Sequence, residues 1–385
     1  MELRPDLDEM KRRALAAYGY ALGRHQSEVI TPALILDLDA AQRNIERMAA
    51  ELRDLPAGIR PHFKAHKSPD LAVRQMGAGA VGMATATIWE AMVVAEAGIT
   101  DIFLVNELAD GLKIDLAAEL ARSMTFRIAV DDPENAALLS RAAARAGSTI
   151  GVMLEVDTGM GRAGTTTVQD AVALARSIAE LPGLRLDGLT GYEGHCSLIH
   201  DDDQRHEAQR HAMDVFGSVA DAIEGSGIPL GILSAGGTAT WRWTAGDSRV
   251  TEIQAGTYVL MDTEYASMSP TFEHALTIEA TVISRAGGRV VLDSGSKAIS
   301  DGTQAAIVGR ALPVERVDEE HGIFDGTSAP DLRVGDRLSV IPGYAPGTVN
   351  LFDAYLVTSE GTVIDIWPIV PRGAGPYGLG TMAHR

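Results

Sequence analysis

The octet Arg60-Pro61-His62-Phe63-Lys64-Ala65-His66-Lys67 sets two lysines and two histidines within eight positions. A lysine there can act as a covalent anchor. Burial and neighbouring cations lower the pKa of an amine, and the uncharged form attacks a carbonyl to give a Schiff base. The octet alone leaves Lys64 and Lys67 both open as anchors, and it equally reads as a solvated basic turn. Three more clusters follow: Asp157-Thr158-Gly159-Met160-Gly161-Arg162, Tyr192-Glu193-Gly194-His195 and Ser234-Ala235-Gly236-Gly237-Thr238. The last is a turn whose backbone amides can cradle a phosphate. His195 and His66 are candidates for proton transfer, because an imidazole titrates near working pH. His66 and His62 also read as structural histidines. His200-Asp201-Asp202-Asp203 offers metal-ligand types, but three carboxylates ahead of a helix more commonly cap it and complement its dipole.

These clusters need elements to position them. From about residue 32 the sequence alternates short apolar or β-branched runs with longer Ala-rich segments of helical period, the pattern of repeated βα units. Strands are expected at 33–39, 60–66, 81–86, 101–105, 125–130, 151–157, 186–192 and 232–235. Eight such units predict a (β/α)8 TIM-type barrel over residues 31–270, with reactive groups at the carboxyl ends of its strands. The clusters fall where the apolar runs stop. A doubly wound open sheet is the alternative, but its early glycine fingerprint is missing. From residue 271 to 385 alternating strand patterns and turns predict a smaller, mainly antiparallel β domain, with residues 1–30 packing on it. The stretch 314–331 reads as a surface loop or hairpin, and the tail from Gly373 as mobile at its end.

Composition narrows the partners. The chain has 385 residues, 46% of them hydrophobic, enough for a large core and two domains. With 33 Lys+Arg against 52 Asp+Glu the formal charge is −19, which repels phosphate backbones and anionic membrane surfaces. The single cysteine, Cys196, allows no intrachain disulfide, so a cytoplasmic location is expected. Residues 1–24 carry charges of both signs and read as neither signal peptide nor anchor, and no apolar run is long enough to span a membrane.

Taken in order, the octet, Asp157-Thr158-Gly159-Met160-Gly161-Arg162, Gly191-Tyr192-Glu193-Gly194-His195, Gly236-Gly237-Thr238 and Asp293-Ser294-Gly295-Ser296-Lys297-Ala298 resemble the motifs of the D-threonine aldolase and D-serine dehydratase family. That family is similar to alanine racemase in having a pyridoxal phosphate barrel followed by a β domain. The resemblance runs from about Thr31 to Tyr355. It implies that Lys64 forms the Schiff base with pyridoxal 5′-phosphate, that Arg162 points at the cofactor's phenolic oxygen, and that Tyr192 sits near the pyridine ring. It further implies that Gly236, Gly237 and Thr238, with Gly256, Thr257 and Tyr258, hold the phosphate. It favours His195 on the substrate side, and a homodimer whose partner β domain closes the barrel mouth. For Tyr192 and Tyr258 a half-buried barrel aromatic is the other reading.

The family resemblance also implies a divalent metal held just before a Thr-Val-Asn-Leu segment. Here Thr348-Val349-Asn350-Leu351 is present, but the ligand positions are Tyr344 and Pro346. Proline offers no side-chain donor, and a phenol is a poor ligand for such ions. The expectation is therefore a metal-free lyase on a small D-β-hydroxy-α-amino acid, by retro-aldol cleavage or by dehydration. The alternative is a racemase or epimerase with Lys64 and Tyr344 as opposed bases. A third reading is a non-catalytic pyridoxal phosphate carrier.

Overall fold

The structure is a computed structural model and describes residues 4–373 and 375–376; the end of the glycine-rich tail lies outside them. Its first strand, Ala33–Asp37 (β1), precedes a set of short parallel strands. These are Gly58–Ile59 (β2), Met83–Thr85 (β3), Asp101–Leu104 (β4), Thr125–Val130 (β5), Ile150–Glu155 (β6), Leu184–Thr190 (β7), Ile232–Ala235 (β8) and Glu252–Ile253 (β9). They form one eight-stranded sheet in the order β2-β9-β8-β7-β6-β5-β4-β3. Bonds from the Val81 amide to the Ile59 carbonyl (2.9 Å) and from Ala84 to Pro61 (2.9 Å) join β2 back to β3, closing the sheet into a barrel. All six residues of β6 are buried, as a strand covered on both faces should be.

The helices along this stretch are Pro69–Gly77, Ile88–Glu96, Gly111–Leu120, Pro133–Ala146, Val168–Glu180, Asp202–Gly225 and Trp241–Gly246. Pro133–Ala146 shows why they start and stop where they do. The Asp132 carboxylate accepts the Glu134 and Asn135 amides, Pro133 fills a first-turn position that needs no N–H, and Gly147 ends the helix in the left-handed region. Towards the strand starts, Arg60 bonds Glu252 (2.8 Å) and Asp101 (2.7 Å), and Arg127 bonds Asp101 (2.8 Å) and Asp187 (2.8 Å). Arg60 of the octet is therefore part of the barrel's structural ion-pair network.

The remaining strands are Leu276–Ser284 (β10), Arg289–Leu292 (β11), Ala306–Ile307 (β12), Val314–Val317 (β13), Gly322–Asp325 (β14), Arg337–Ile341 (β15), Ala354–Ser359 (β16) and Thr362–Pro368 (β17). With β1 they make a nine-stranded, mainly antiparallel sheet. The segment 314–331 contains the hairpin β13–β14. Leu7–Tyr18, an N-terminal helix, contributes Ala14 to an apolar cluster with Ala354, Leu356, Val363 and Ile366, and Lys11 pairs with Asp365 at 2.8 Å.

Three strands depart from expectation. The strand expected at 60–66 is Gly58–Ile59, and Phe63–Ala65 is a 3-10 turn because the chain leaves the sheet after the His62 bridge. Residues 33–39 were expected to open the barrel; instead β1 pairs antiparallel with β10 and parallel with β16. The eighth barrel strand is β9, which is two residues long. By compactness the chain divides into residues 48–64 with 72–256, which hold the barrel, and residues 1–47, 65–71 and 257–385, which hold the other sheet. Among the described residues no helix is long and apolar enough to cross a membrane.

Candidate active site

Within the barrel unit, the structure gathers Lys64, Arg162 and Tyr192. The Ile59 end of β2 leads through a bridge at His62 into a 3-10 turn, Phe63–Ala65, that carries Lys64. Lys64 Nζ lies 5.8 Å from the centroid of the Tyr192 ring, and Arg162 Cζ lies 5.7 Å from the same centroid. Burial first, and then the Arg162 guanidinium, push the Lys64 amine below the ordinary lysine pKa. Glu90 opposes this. Its carboxylate, however, accepts the Ala86 amide (2.7 Å), while the Glu90 amide goes to the N-cap Thr87 Oγ1 (3.2 Å) at the start of Ile88–Glu96. Among the described residues Lys64 has no ion-pair partner, and a lowered pKa beside an arginine suits a carbonyl-capturing lysine.

Arg162 sits on a loop closed at its base. The Thr165 amide donates to the Glu155 carbonyl (2.8 Å), and the Asp157 amide to the Thr165 carbonyl (3.1 Å). Asp157 Oδ1 accepts the Gly159 and Gly161 amides at 3.0 Å each, and Asp131 accepts the Gly164 amide at 2.9 Å. Gly164 has φ +103°, and a Cβ there would fall 2.4 Å from the Asp157 nitrogen, so only glycine closes this loop. Close approach explains two more glycines. A Cβ on Gly194 or Gly237 would meet Tyr192 Cε1 at 2.4 Å or Cε2 at 3.0 Å, so the ring's position depends on both glycines.

The glycine-rich turn differs in detail from expectation. The amides of Gly236 and Gly237 are already engaged, with Glu193 Oε2 (3.1 Å) and Thr240 Oγ1 (3.2 Å). Glu193 is buried and also accepts from the hydroxyls of Thr240 (2.7 Å) and Thr244 (2.9 Å). The turn is thus built from behind by a carboxylate. An anion there would be met by Thr238 and the residues after it rather than by those two amides.

His195 lies in the 3-10 helix Gly194–Leu198, its ring close against Gly159. Its Nδ1 is buried with no partner, and Nε2 is 3.7 Å from Cys196 Sγ. Burial and then Glu193 push that thiol up to about 12, so Cys196 stays protonated and unreactive. Asp201 caps the helix Asp202–Gly225 by accepting the Gln204 amide (2.9 Å), and Asp202 pairs with the buried Arg205. His200 is exposed. The acidic run therefore caps a helix.

The other unit holds the remaining candidates. His66 is fully buried; its Nδ1 accepts the Ser68 amide (3.1 Å) and its carbonyl accepts the Tyr355 hydroxyl. Lys67 Nζ donates to Asn350 Oδ1 (3.0 Å), which ties the end of the octet to the Thr348-Val349-Asn350-Leu351 segment. Of the octet's lysines, Lys67 is thus engaged structurally. Thr257 and Tyr258 form a 3-10 turn whose Thr257 carbonyl accepts the Leu260 and Met261 amides, and the Tyr258 ring packs on Phe272 at 5.5 Å. Gly256 is the residue before that turn.

Tyr344 precedes the short helix Ala345–Val349, with Pro346 in its first turn, where a missing N–H costs nothing. The Ala345 amide donates to the buried Asp262 carboxylate at 2.8 Å. Burial, Glu264 and Asp262 push the Tyr344 phenol above its ordinary pKa, so it stays protonated. The positions where the resemblance places a metal therefore offer a protonated phenol and a proline. They do not fit a divalent ion.

Sequence reasoning missed Glu193, Glu90 and a carboxyl at the end of β6, Glu155. The signal for Glu155 was a carboxylate closing an otherwise apolar strand; Glu193 stood in plain view inside a motif, but its partners are more than 40 positions away.

Comparison with known proteins agrees with this geometry. Residues 36–264 match the alanine racemase N-terminal domain, and a second model, of a serine dehydratase domain, matches residues 275–358. The fold and these two domains define an alanine racemase-like pyridoxal phosphate enzyme. A D-threonine aldolase of an Arthrobacter species is 36% identical over 90% of this chain and 94% of its own length. A 3-hydroxy-D-aspartate aldolase of Paracoccus denitrificans is 33% identical over 92% and 95%. The crystal structure of the Filomicrobium marinum D-threonine aldolase superposes with a TM-score of 0.87 at 33% identity, covering 91% of this chain and 98% of that one. The chain belongs to the D-threonine aldolase and D-serine dehydratase family, and it is a pyridoxal phosphate-dependent lyase.

Proposed function

We propose that this lyase cleaves a small D-β-hydroxy-α-amino acid between Cα and Cβ, releasing an aldehyde, without the family's usual divalent ion. The observation that carries the reading is the Lys64 amine, depressed by burial and Arg162 and set beside the Tyr192 ring. Lys64 would hold the cofactor covalently, Arg162 would meet its phenolic oxygen, and Thr238 would meet its phosphate. When bound, pyridoxal phosphate supplies an electron sink for the pair left on Cα. The chain's own part is proton handling. The His195 imidazole takes the proton from the β-hydroxyl, and the electrons of that O–H bond form the aldehyde carbonyl as the Cα–Cβ bond breaks. The proton then returns to Cα through the same site.

The racemase reading asks Tyr344 to act as a base, and its raised pKa disfavours the phenolate that role needs. The carrier reading leaves the second sheet without a purpose. The relatives named above support the D-configured hydroxyamino acid, and the resemblance supports a homodimer, for which light scattering should give twice the monomer mass. The lone cysteine suits a reducing compartment such as the cytoplasm.

D-threonine, D-serine and D-alanine, scored for aldehyde, keto acid and inverted enantiomer with and without EDTA, test the reaction. Aldehyde formation unaffected by EDTA is expected; activity lost to EDTA and restored by a divalent ion would overturn the metal-free mechanism. Borohydride should fix the cofactor on Lys64, and a Lys64→Ala protein that keeps its visible band near 420 nm would remove Lys64 as the anchor.

A further inference from the structure

His195 sits on a segment that the chain closes into a ring of hydrogen bonds. The Cys196 amide donates to the Glu193 carbonyl (3.0 Å), the Ile199 amide donates to the Cys196 carbonyl (3.1 Å), and the Ile199 carbonyl accepts Nη1 of Arg205 (2.8 Å). The same nitrogen also donates to the His200 carbonyl (3.2 Å). From Glu193 the ring runs the other way. The Glu193 carboxylate accepts the Thr244 hydroxyl (2.9 Å), whose oxygen accepts Nε2 of Gln209 (3.1 Å). Gln209 stands four residues after Arg205 on the helix Asp202–Gly225, so both side chains leave one face of that helix and the ring is complete.

Glu193, Arg205, Gln209 and Thr244 are all buried. A hydroxyl has one hydrogen; Thr244 gives it to the carboxylate, so the Gln209 amide must come to it as donor and the direction of each bond is fixed. Arg205 is held further by Asp202, and its Cζ lies 5.5 Å from the centroid of the Trp243 ring, in the helix that also carries Thr244. Buried hydrogen bonds have no water to exchange with, so a network of them holds one geometry rather than several. The reaction above gives no part to Arg205 or Gln209.

We propose that Arg205 and Gln209 are positioning residues for His195: the ring they complete fixes the 3-10 helix Gly194–Leu198, and with it the reach of the imidazole to the substrate's β-hydroxyl. The proposal rests on His195 taking that proton. Proton transfer needs heavy atoms within hydrogen-bond reach, and a displacement of about 1 Å can cost roughly 10²-fold in rate.

A double-mutant cycle on the holoenzyme tests this, read as aldehyde release from D-threonine. Arg205→Met keeps an apolar stem in place of the buried one and removes the donors. Its kcat should fall about 10- to 100-fold, with KM and borohydride labelling of Lys64 unchanged. In a His195→Gln background the same substitution should change the rate by less than about twofold, because groups that act as a unit are not additive. A merely structural role would lower the rate by the same factor in both backgrounds, or raise KM and weaken the labelling. Either of those results, or an unchanged kcat in R205M, overturns the positioning role and leaves His195 standing. No aldehyde from the wild type, or an H195Q protein that keeps the wild-type rate, overturns the reading of His195 and the proposal with it. Should R205M not fold, Gln209→Met breaks the ring at its other link and is carried through the same cycle with the same outcomes.

Discussion

In the proposed reaction His195 is the residue that takes the substrate's proton. Its ring is held by packing against Gly159 and by a thiol that stays protonated, while Nδ1 has no partner. A nitrogen buried without a partner costs stability. Substituting His195→Gln keeps a polar side chain of related reach but removes the imidazole base. Aldehyde release should fall by about 10²–10⁴-fold, the usual worth of general acid–base catalysis, with borohydride labelling of Lys64 intact. A fall of less than about tenfold would move the proton transfer to another group. At this scale the sequence was informative about types and weak about roles. Lys64 and Lys67 stand three positions apart in one octet, and nothing in it separates them. Asn350, 283 positions beyond Lys67, does so by accepting its ammonium.

The elements were more legible than their assignments. β5 and β8 lie where the apolar runs predicted them, because a buried parallel strand needs a continuous apolar run and little else. β1 has the same texture and is also followed by a helix, Leu38–Leu52, yet it joins the other sheet. Local pattern shows that a strand exists and not which strands it will pair with. Two-residue β9 gave no pattern to read. In the glycine-rich turn after β8 two amides that looked available have intrachain acceptors, Glu193 and Thr240. That gives Glu193 a measurable weight. Glu193→Ala leaves the Gly236 amide and the hydroxyls of Thr240 and Thr244 without their acceptor. The loss should be about 1–3 kcal/mol of stability or more, seen as a lower urea midpoint. Because the turn would relax, the apparent Kd for pyridoxal phosphate should rise in the same variant, by fluorescence titration. Unchanged cofactor affinity despite lost stability would separate the turn from the phosphate.

The whole molecule carries a formal charge of −19, and two of its buried carboxyls carry pKa values far above their ordinary range. Glu155 lies at about 8 and Asp262 at about 7, each raised first by burial. In the unfolded chain both would ionise near pH 4, so between about pH 4 and 8 the folded state binds more protons than the unfolded one. Stability linked to them is therefore fully present below the unfolded values and is lost as pH rises through 7 and 8. Asp365, held down by Lys11 and backbone and indole donors, and Asp247, held down by Arg249, act in the opposite sense: their contribution is lost as pH falls. The two trends leave a maximum on the mildly acidic side of neutrality. Self-repulsion among surface carboxylates would also lower stability at high pH, but salt screens that term and hardly reaches a buried group. The two causes can thus be told apart in one experiment. The melting temperature should drop from pH 6 to 9 in low salt, and roughly 0.3 M salt should remove only part of the drop. Asp262→Asn, which keeps one acceptor for the Ala345 amide but cannot ionise, should flatten the part that salt leaves. If salt abolishes the whole slope in the wild type, surface charge is its cause and the buried carboxyls are not.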